Sequence, residues 1–212
     1  MCRIAVLISG GGSNLQALLD DDLAGGEIAL VISNRADAGG LARAAVRGIA
    51  TQVIDHRQYT TRERFDDELA AALVAAHIEL VVLAGFMRIL TPAFVARFEG
   101  RMMNIHPSLL PRYPGLHTHD RVLAAGEREH GATVHFVTAE LDGGPPIVQA
   151  RIAVRAGDDA TALAARVLDR EHQIYPQAVR WFCSGRLCLV DGRAQLDGDL
   201  VPTTGVDWPP VA

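Results

Sequence analysis

What the chain lacks narrows what it can be. It contains no lysine, so the phosphate-gripping lysine of a Walker loop is absent. Its 20 basic residues face 25 acidic ones, a net charge of −5. That balance argues against a broad nucleic-acid footprint, leaves room for a local positive patch, and is ordinary for a soluble protein. No long apolar run occurs. Met1–Ile8 is too short for a membrane span and is followed by no signal-peptide cleavage region, and Leu80–Leu83 is strand-sized. Only three cysteines are present, Cys2, Cys183 and Cys188, an odd number without the spacing of a disulfide framework. A reducing cytoplasm is therefore the expected home. Buried free thiols and a Cys183/Cys188 metal site both remain open readings of the later pair.

What is present suits a packed core. The 212 residues are 49% hydrophobic, enough for one large domain or one domain with an elaborated half. Arg3–Ile8 reads as a buried strand, and Ser9–Ser13 as a tight loop. Ser13 or Asn14 then caps a helix that carries Leu15, Leu18, Leu19 and Leu23, which Gly25-Gly26 stops. Strands follow at Ile28–Ser33, Thr51–Ile54 and Leu80–Leu83, with a helix over Gly40–Arg47. A second helix shows Phe65, Leu69, Leu73 and Ala76 on one face behind a Thr60/Glu63 capping box. This β-α-β order predicts an α/β fold, a mostly parallel twisted sheet flanked by helices with a Rossmann-like N-terminal half.

The second half reads as a mixed extension of the same sheet. Arg101–Ile105 is a strand and His106–His119 a long Pro/Gly-rich loop. Thr133–Val137 and Ile147–Val154 alternate as strands. Thr161–Phe182 is helical in pattern, with Pro176 expected to kink or split it. Gly185–Leu196 reads as a hairpin around Asp191-Gly192, and the proline-rich end as an arm. No domain break is convincing; the expected organisation is one unit over 1–190, with an N-terminal half (1–100) and a second half (101–190), then a hairpin end and arm over 191–212. No repeat or low-complexity linker interrupts it.

Chemistry concentrates at Asn104-Ile105-His106-Pro107, followed by Ser108-Leu109-Leu110-Pro111. A carboxamide and an imidazole two residues apart on a strand share a face, and Pro107 ends strand pairing. Asp142 lies in the turn-rich Leu141-Asp142-Gly143-Gly144-Pro145, where it can sit beside that pair or serve only as a turn residue. Together these three side chains can supply an oxyanion donor, an acid or base, and a group that tunes it. A hydrogen-bonded pair at a strand end is the plainer alternative. Strand-end placement favours chemistry, because open parallel sheets bind ligands beyond their carboxyl ends.

Ser9-Gly10-Gly11-Gly12-Ser13-Asn14 follows a strand and opens a helix, as a phosphate loop or a plain tight turn would. A dinucleotide loop fits less well, since Leu15 replaces the third glycine and the next strand ends at Asn34-Arg35 without an acidic residue. Phe86-Met87-Arg88-Ile89-Leu90 reads as core packing or as an apolar wall for a flat heterocycle. Arg62 can hold an anionic tail or sit in solvent. His117-Thr118-His119 and His135 accompany no HExxH pattern or cysteine pair, so no metal is expected. Ser108 lacks a nucleophile elbow.

These segments, taken together, resemble the phosphoribosylglycinamide formyltransferase family, folate-dependent enzymes of purine synthesis. The resemblance runs from residue 2 to about residue 190. It is carried by Ile8-Ser9-Gly10 with Gly12–Gln16, Leu83–Leu90, Asn104–Pro111, Tyr113–His119, Leu141–Pro145, and Glu171-His172 with Tyr175-Pro176. The Asn-x-His-Pro core alone also occurs in other formyl-folate enzymes. The resemblance implies direct formyl transfer from 10-formyltetrahydrofolate, a co-substrate, to the amine of glycinamide ribonucleotide, with no metal. It also implies small-molecule substrates, no nucleic acid or membrane partner, and a monomer or homodimer.

Carried over by residue, the resemblance implies that Asn104, His106 and Asp142 are catalytic. Gly12, Ser13 and Asn14, with Leu168, Asp169, Arg170 and Glu171, would bind the ribonucleotide. Arg62, Met87, Arg88, Ile89, Leu90, Asn104, Thr138, Ala139, Glu140, Leu141 and Asp142 would face the folate. Gly11, asparagine in some members, and Pro145-Pro146 depart from the pattern without removing a functional group. Three rivals stand beside this reading. A methionyl-tRNA formyltransferase would need an additional RNA-binding domain, and a formyltetrahydrofolate hydrolase typically carries an N-terminal regulatory domain, for neither of which the chain is expected to have room. A non-catalytic nucleotide-binding module is the third.

Overall fold

The computed structural model describes residues 1–209. Five parallel strands form the first part of its main sheet: β1 (Cys2–Ile8), β2 (Gly26–Ser33), β3 (Ala50–Val53), β4 (Leu80–Leu83) and β5 (Met102–His106). They lie in the order β5-β4-β1-β2-β3, so the chain leaves β1 in opposite directions and opens a crevice at its carboxyl end. β6 (Glu129–Phe136) and β7 (Pro146–Ala153) extend the sheet antiparallel from β5. This is the expected mostly parallel sheet with a mixed extension.

β1 is buried on both faces, and its alternate residues serve different cores. Ile4, Val6 and Ile8 pack with Leu15, Leu18, Val82, Val167 and Val179, beneath α1 (Ser13–Leu19), α2 (Gly39–Val46) and α6 (Ala160–Cys183). Ala5 and Leu7 pack with Phe65, Leu69, Leu73 and Phe94, beneath α3 (Arg62–Ala75) and α4 (Pro92–Arg97). Helices on both faces explain why these strands read as continuous apolar runs.

Several local expectations are corrected. α1 is capped by Gly12, in the left-handed region at φ 73°, with no side-chain cap from Ser13 or Asn14. It ends at Leu19, and Leu23 instead buries itself in a 3₁₀ turn (Leu23–Gly25). The cap of α3 is Thr61, whose hydroxyl accepts from the Arg64 amide at 3.3 Å, rather than Thr60. α6 runs unbroken through Pro176. A proline inside a helix costs about 3 kcal/mol. Burying Leu163, Val167, Ile174, Tyr175 and Val179 on one face contributes roughly 1.5–3 kcal/mol per large side chain, so packing wins. The Pro/Gly-rich stretch after β5 also holds the start of a helix, α5 (Thr118–Ala124).

The hairpin around Asp191-Gly192 is β8 (Leu187–Val190) and β9 (Arg193–Leu196), extended to a three-stranded sheet by β10 (Asp199–Leu200). Within the stretch read as an arm, β11 (Val206–Trp208) pairs parallel with β7 at the edge of the main sheet. The last part of that arm, residues 210–212, lies outside the described residues. Among the described residues, no helix is long and apolar enough to cross a membrane.

Candidate active site

β5 delivers Asn104 and His106 to the carboxyl end of the sheet on one face, as strand alternation requires. Leu83, the last residue of β4, lies in register with Asn104, so Ala84–Leu90 leaves the sheet beside that carboxamide. The Tyr175 hydroxyl, fully buried, donates to the Leu83 and Met103 carbonyls at 2.9 and 3.1 Å and locks the two strand ends together.

His106 is buried, and its ring is held from two sides. Nε2 donates to the Tyr113 carbonyl at 3.0 Å, while Nδ1 faces Asp142 Oδ2 at 3.4 Å. Asp142 Oδ2 also accepts from the Gly115 amide at 2.8 Å. The carboxylate thus joins the loop after β5 to the turn after β6. Gly144 makes this turn possible: a Cβ there would stand 1.8 Å from the Phe136 carbonyl oxygen, so only glycine lets the chain fold back on β6. The three sequence-predicted catalytic side chains therefore converge.

A fourth joins them. His135 lies directly across from Asn104 in the β5–β6 register, and Thr133 across from His106. His135 Nδ1 donates to the Phe136 carbonyl at 2.9 Å, which leaves Nε2 as an acceptor for the Asn104 amide at 3.2 Å. Burial pushes its imidazole down to about 4, so the neutral, accepting form is the one present near neutral pH. Asn104 keeps its second N–H for a ligand. On the sequence alone His135 reads only as a candidate metal ligand. The signal for its role was there: Thr133 and His135 alternate on a strand next to Asn104-x-His106.

The glycine loop sits across the crevice. Gly40 N donates to Gly10 O at 3.1 Å and Arg43 Nε to Gly11 O at 2.8 Å, so α2 grips the loop from behind. In front it is open, since a Cβ at Gly10 or Gly11 would meet nothing within 4 Å. Asn14 is buried. Its amide donates to Glu171 Oε2 at 2.7 Å, and its Oδ1 is buried without a partner. Burial raises the Glu171 carboxyl above its usual range, against the pull of that hydrogen bond. Of the predicted α6 residues, only Glu171 reaches the loop in this way. Leu168 and Arg170 are half-buried, and Asp169 is exposed.

The predicted folate segment divides. Leu90 is buried in the core, whereas Met87 and Ile89 are 68% and 58% exposed, as is Leu141 at 57%. Thr138 is half-buried, Ala139 and Glu140 are exposed, and Arg62 is exposed on the first turn of α3. A cavity of about 270 Å³ lies between Ser9, Gly10, Gly85, Met87 and Arg88 on one side and Asn34, Arg35 and His56 on the other, and none of Asn104, His106 and Asp142 lines it. Among the described residues, no three His, Cys, Asp or Glu side chains converge as a metal site. His119 Nδ1 instead contacts His130 Nε2 at 3.0 Å.

A crevice at the strand reversal, a glycine loop and an Asn–His–Asp cluster suit group transfer between two small molecules. Residues 2–179 match the family model described as formyl transferase. The phosphoribosylglycinamide formyltransferase of Escherichia coli K12 is 52% identical over 206 residues, 96% of this chain and 97% of that protein. The human trifunctional purine biosynthetic protein adenosine-3 is 45% identical over 190 residues, 88% of this chain and 19% of that longer protein. Among solved structures, the phosphoribosylglycinamide formyltransferase of Coxiella burnetii superposes with a TM-score of 0.94 at 48% identity, covering 98% of this chain and 99% of that one. The chain belongs to the formyl transferase family, within it to the phosphoribosylglycinamide formyltransferases.

Proposed function

We infer that this chain transfers the formyl group of 10-formyltetrahydrofolate to the amine of N1-(5-phospho-D-ribosyl)glycinamide, giving the N-formyl product and tetrahydrofolate, as a step of purine synthesis. The observation that carries this reading is the convergence of Asn104, His106 and Asp142 at the sheet's carboxyl end, in a chain so similar to enzymes of that name.

Attack of the amine on the formyl carbon moves negative charge onto the formyl oxygen. The free N–H of Asn104 and the His106 imidazolium would stabilise it, and one preorganised donor of this kind is worth about 10²–10³ in rate. Tyr113 occupies Nε2, so Nδ1 is the nitrogen left to exchange a proton with substrate. Donation toward the departing folate nitrogen contributes roughly 10²–10⁴. Asp142, 3.4 Å from His106 Nδ1, would relay the proton that the amine loses.

Binding follows the same geometry. Gly12, Ser13 and Asn14 would receive the ribonucleotide phosphate and its surroundings, with the unpartnered Asn14 Oδ1 left for a donor on that substrate. Leu168–Glu171 would line the glycinamide side. Met87, Ile89 and Leu141 supply the apolar cover a pterin needs, Arg88, Leu90 and Thr138–Asp142 complete its segment, and Arg62 would meet the anionic tail. The partners are these small molecules, handled by a cytoplasmic monomer or homodimer.

Following the absorbance of a formyl-folate with and without glycinamide ribonucleotide tests the reading. Turnover that requires the amine supports it. Turnover indifferent to the amine would make the protein a hydrolase, and phosphate-ligand binding with no folate binding would make it a nucleotide-binding module.

A further inference from the structure

Cys2 opens β1 and Cys183 closes α6, and the fold brings these chain-distant residues together. Cys2 lies in register with Gly26 at the start of β2. A Cβ on Gly26 would stand 2.7 Å from Cys183 Sγ, so the sulfur occupies the space that the missing side chain leaves. The sulfur therefore lies over the strand residue paired with Cys2, whose backbone is one strand spacing, ~4.8 Å, from that of Gly26. Both cysteines are half-buried and pack on the same apolar cluster. The closeness of the two thiols lowers the Cys2 thiol below its usual range and, with burial, raises that of Cys183. Cys183 thus keeps the proton and Cys2 carries the nucleophilic character. Cys188 is exposed on β8.

The pair has no part in formyl transfer. Cys2 is at the amino end of β1, roughly 20 Å along the strand from the crevice at ~3.3 Å per residue. Along α6, Cys183 is about 18 Å from Glu171 at 1.5 Å per residue.

We propose that Cys2 and Cys183 form a peroxide-reactive dithiol site that closes to a disulfide, stapling the first strand to the long C-terminal helix. The Cys2 thiolate attacks a peroxide oxygen, the O–O bond breaks, and Cys2 becomes a sulfenic acid while hydroxide, or alkoxide from an organic peroxide, departs. The Cys183 sulfur then attacks the Cys2 sulfur. An S–S bond forms, the S–OH bond breaks, and the Cys183 proton leaves with the hydroxyl as water. Both cysteines are oxidised by one electron each and the peroxide is reduced by two. A dithiol reverses the reaction by exchange. The bond closes almost the whole chain into one loop, so it restricts the unfolded state and stabilises the fold while leaving the crevice as it was.

The sequence makes the test clean. Trypsin cuts after Arg3, Arg180, Arg186 and Arg193, which puts Cys2, Cys183 and Cys188 on three separate peptides. The full chain is treated with a small excess of hydrogen peroxide, alkylated, and digested without reductant. The expected product is the peptide ending at Arg3 joined to Trp181–Arg186, lighter by two hydrogens than their sum and split by dithiothreitol. The oxidised protein melts roughly 5–15 °C higher, the range expected for a disulfide in a chain of this size, with turnover unchanged within two-fold. Cys188→Ser retains the cross-link, and Cys2→Ser and Cys183→Ser each abolish it. Separately alkylated or over-oxidised Cys2 and Cys183 peptides in the wild-type digest would overturn the proposal, as would linkage through Cys188 or between molecules. The wild-type digest decides even if a variant fails to fold.

Discussion

Four side chains meet at the end of β5, and they divide their work by which atoms are already taken. The Tyr113 carbonyl takes His106 Nε2, and His135 takes one N–H of Asn104. What is left to the ligand is one carboxamide N–H and one ring nitrogen beside a carboxylate. His106→Ala should lower kcat by about 10²–10⁴ while leaving the binding of each substrate within a few-fold, as steady-state kinetics and calorimetry would read. Unchanged turnover would remove His106 from the mechanism. His135 acts one step back, through Asn104. His135→Leu deletes the acceptor and frees the carboxamide to rotate, so kcat should fall by roughly ten-fold, less than the 10²–10³ for losing an oxyanion donor. Because both changes act through one donor, the Asn104→Ala/His135→Leu double variant should be no slower than Asn104→Ala alone. Additive losses would mean that His135 works independently of Asn104.

Between residues and fold stand the turns that aim them, and here the sequence was only partly legible. Periodicity located β1, β2, β4 and the face of α3, because burial on both sides of a sheet leaves long apolar runs. Caps were harder. Ser13 and Asn14 have the chemistry of a cap, yet the turn before α1 needs a left-handed residue packed tightly against α2, and only Gly12 meets both demands. Between β5 and α5 the obstacle was different: residues at positive φ, Tyr113 and His117 among them, set the path without an apolar pattern to reveal it. Gly12→Ala tests the first of these turns. Its φ of 73° costs an L-residue about 1–2 kcal/mol, and the new methyl would stand 2.7 Å from Gly40 Cα, a backbone atom with no freedom to move aside. The variant should melt several degrees lower, and its KM for the ribonucleotide should rise more than its KM for the formyl-folate. Equal changes in the two constants would show that the loop does not serve the phosphate.

Across the whole molecule, the proposed catalytic trio depends on pairings that one strand's pattern does not announce. Asn104 and His106 share a face by simple alternation, and this was legible. Asp142 reaches them only because β6 runs antiparallel beside β5 and Gly144 lets the following turn fold back on it. The same register explains His135, one of four histidines that burial lowers. His135 and His130 are each pushed down to about 4, and His119, in contact with His130, and His172 are lowered as well; burial is the largest cause for all four. In the unfolded chain each returns to its ordinary value near 6.5. Between about pH 6.5 and about pH 4 the unfolded chain therefore binds more protons than the folded one, and stability must fall as pH is lowered through that window. Asp55 and Asp158, held down to about 2 mainly by hydrogen bonds from Arg57 and Arg166, add a second loss below about pH 4, as their carboxylates protonate. The melting temperature should thus drop in two stages from neutral pH, the first set by imidazoles and the second by carboxylates. His130→Gln removes one buried imidazole and should flatten the first stage while leaving the second. A melting temperature constant from pH 7 to about pH 4.5 would mean that these rings are not held neutral by the fold, and a first stage unmoved by His130→Gln would assign it to other groups.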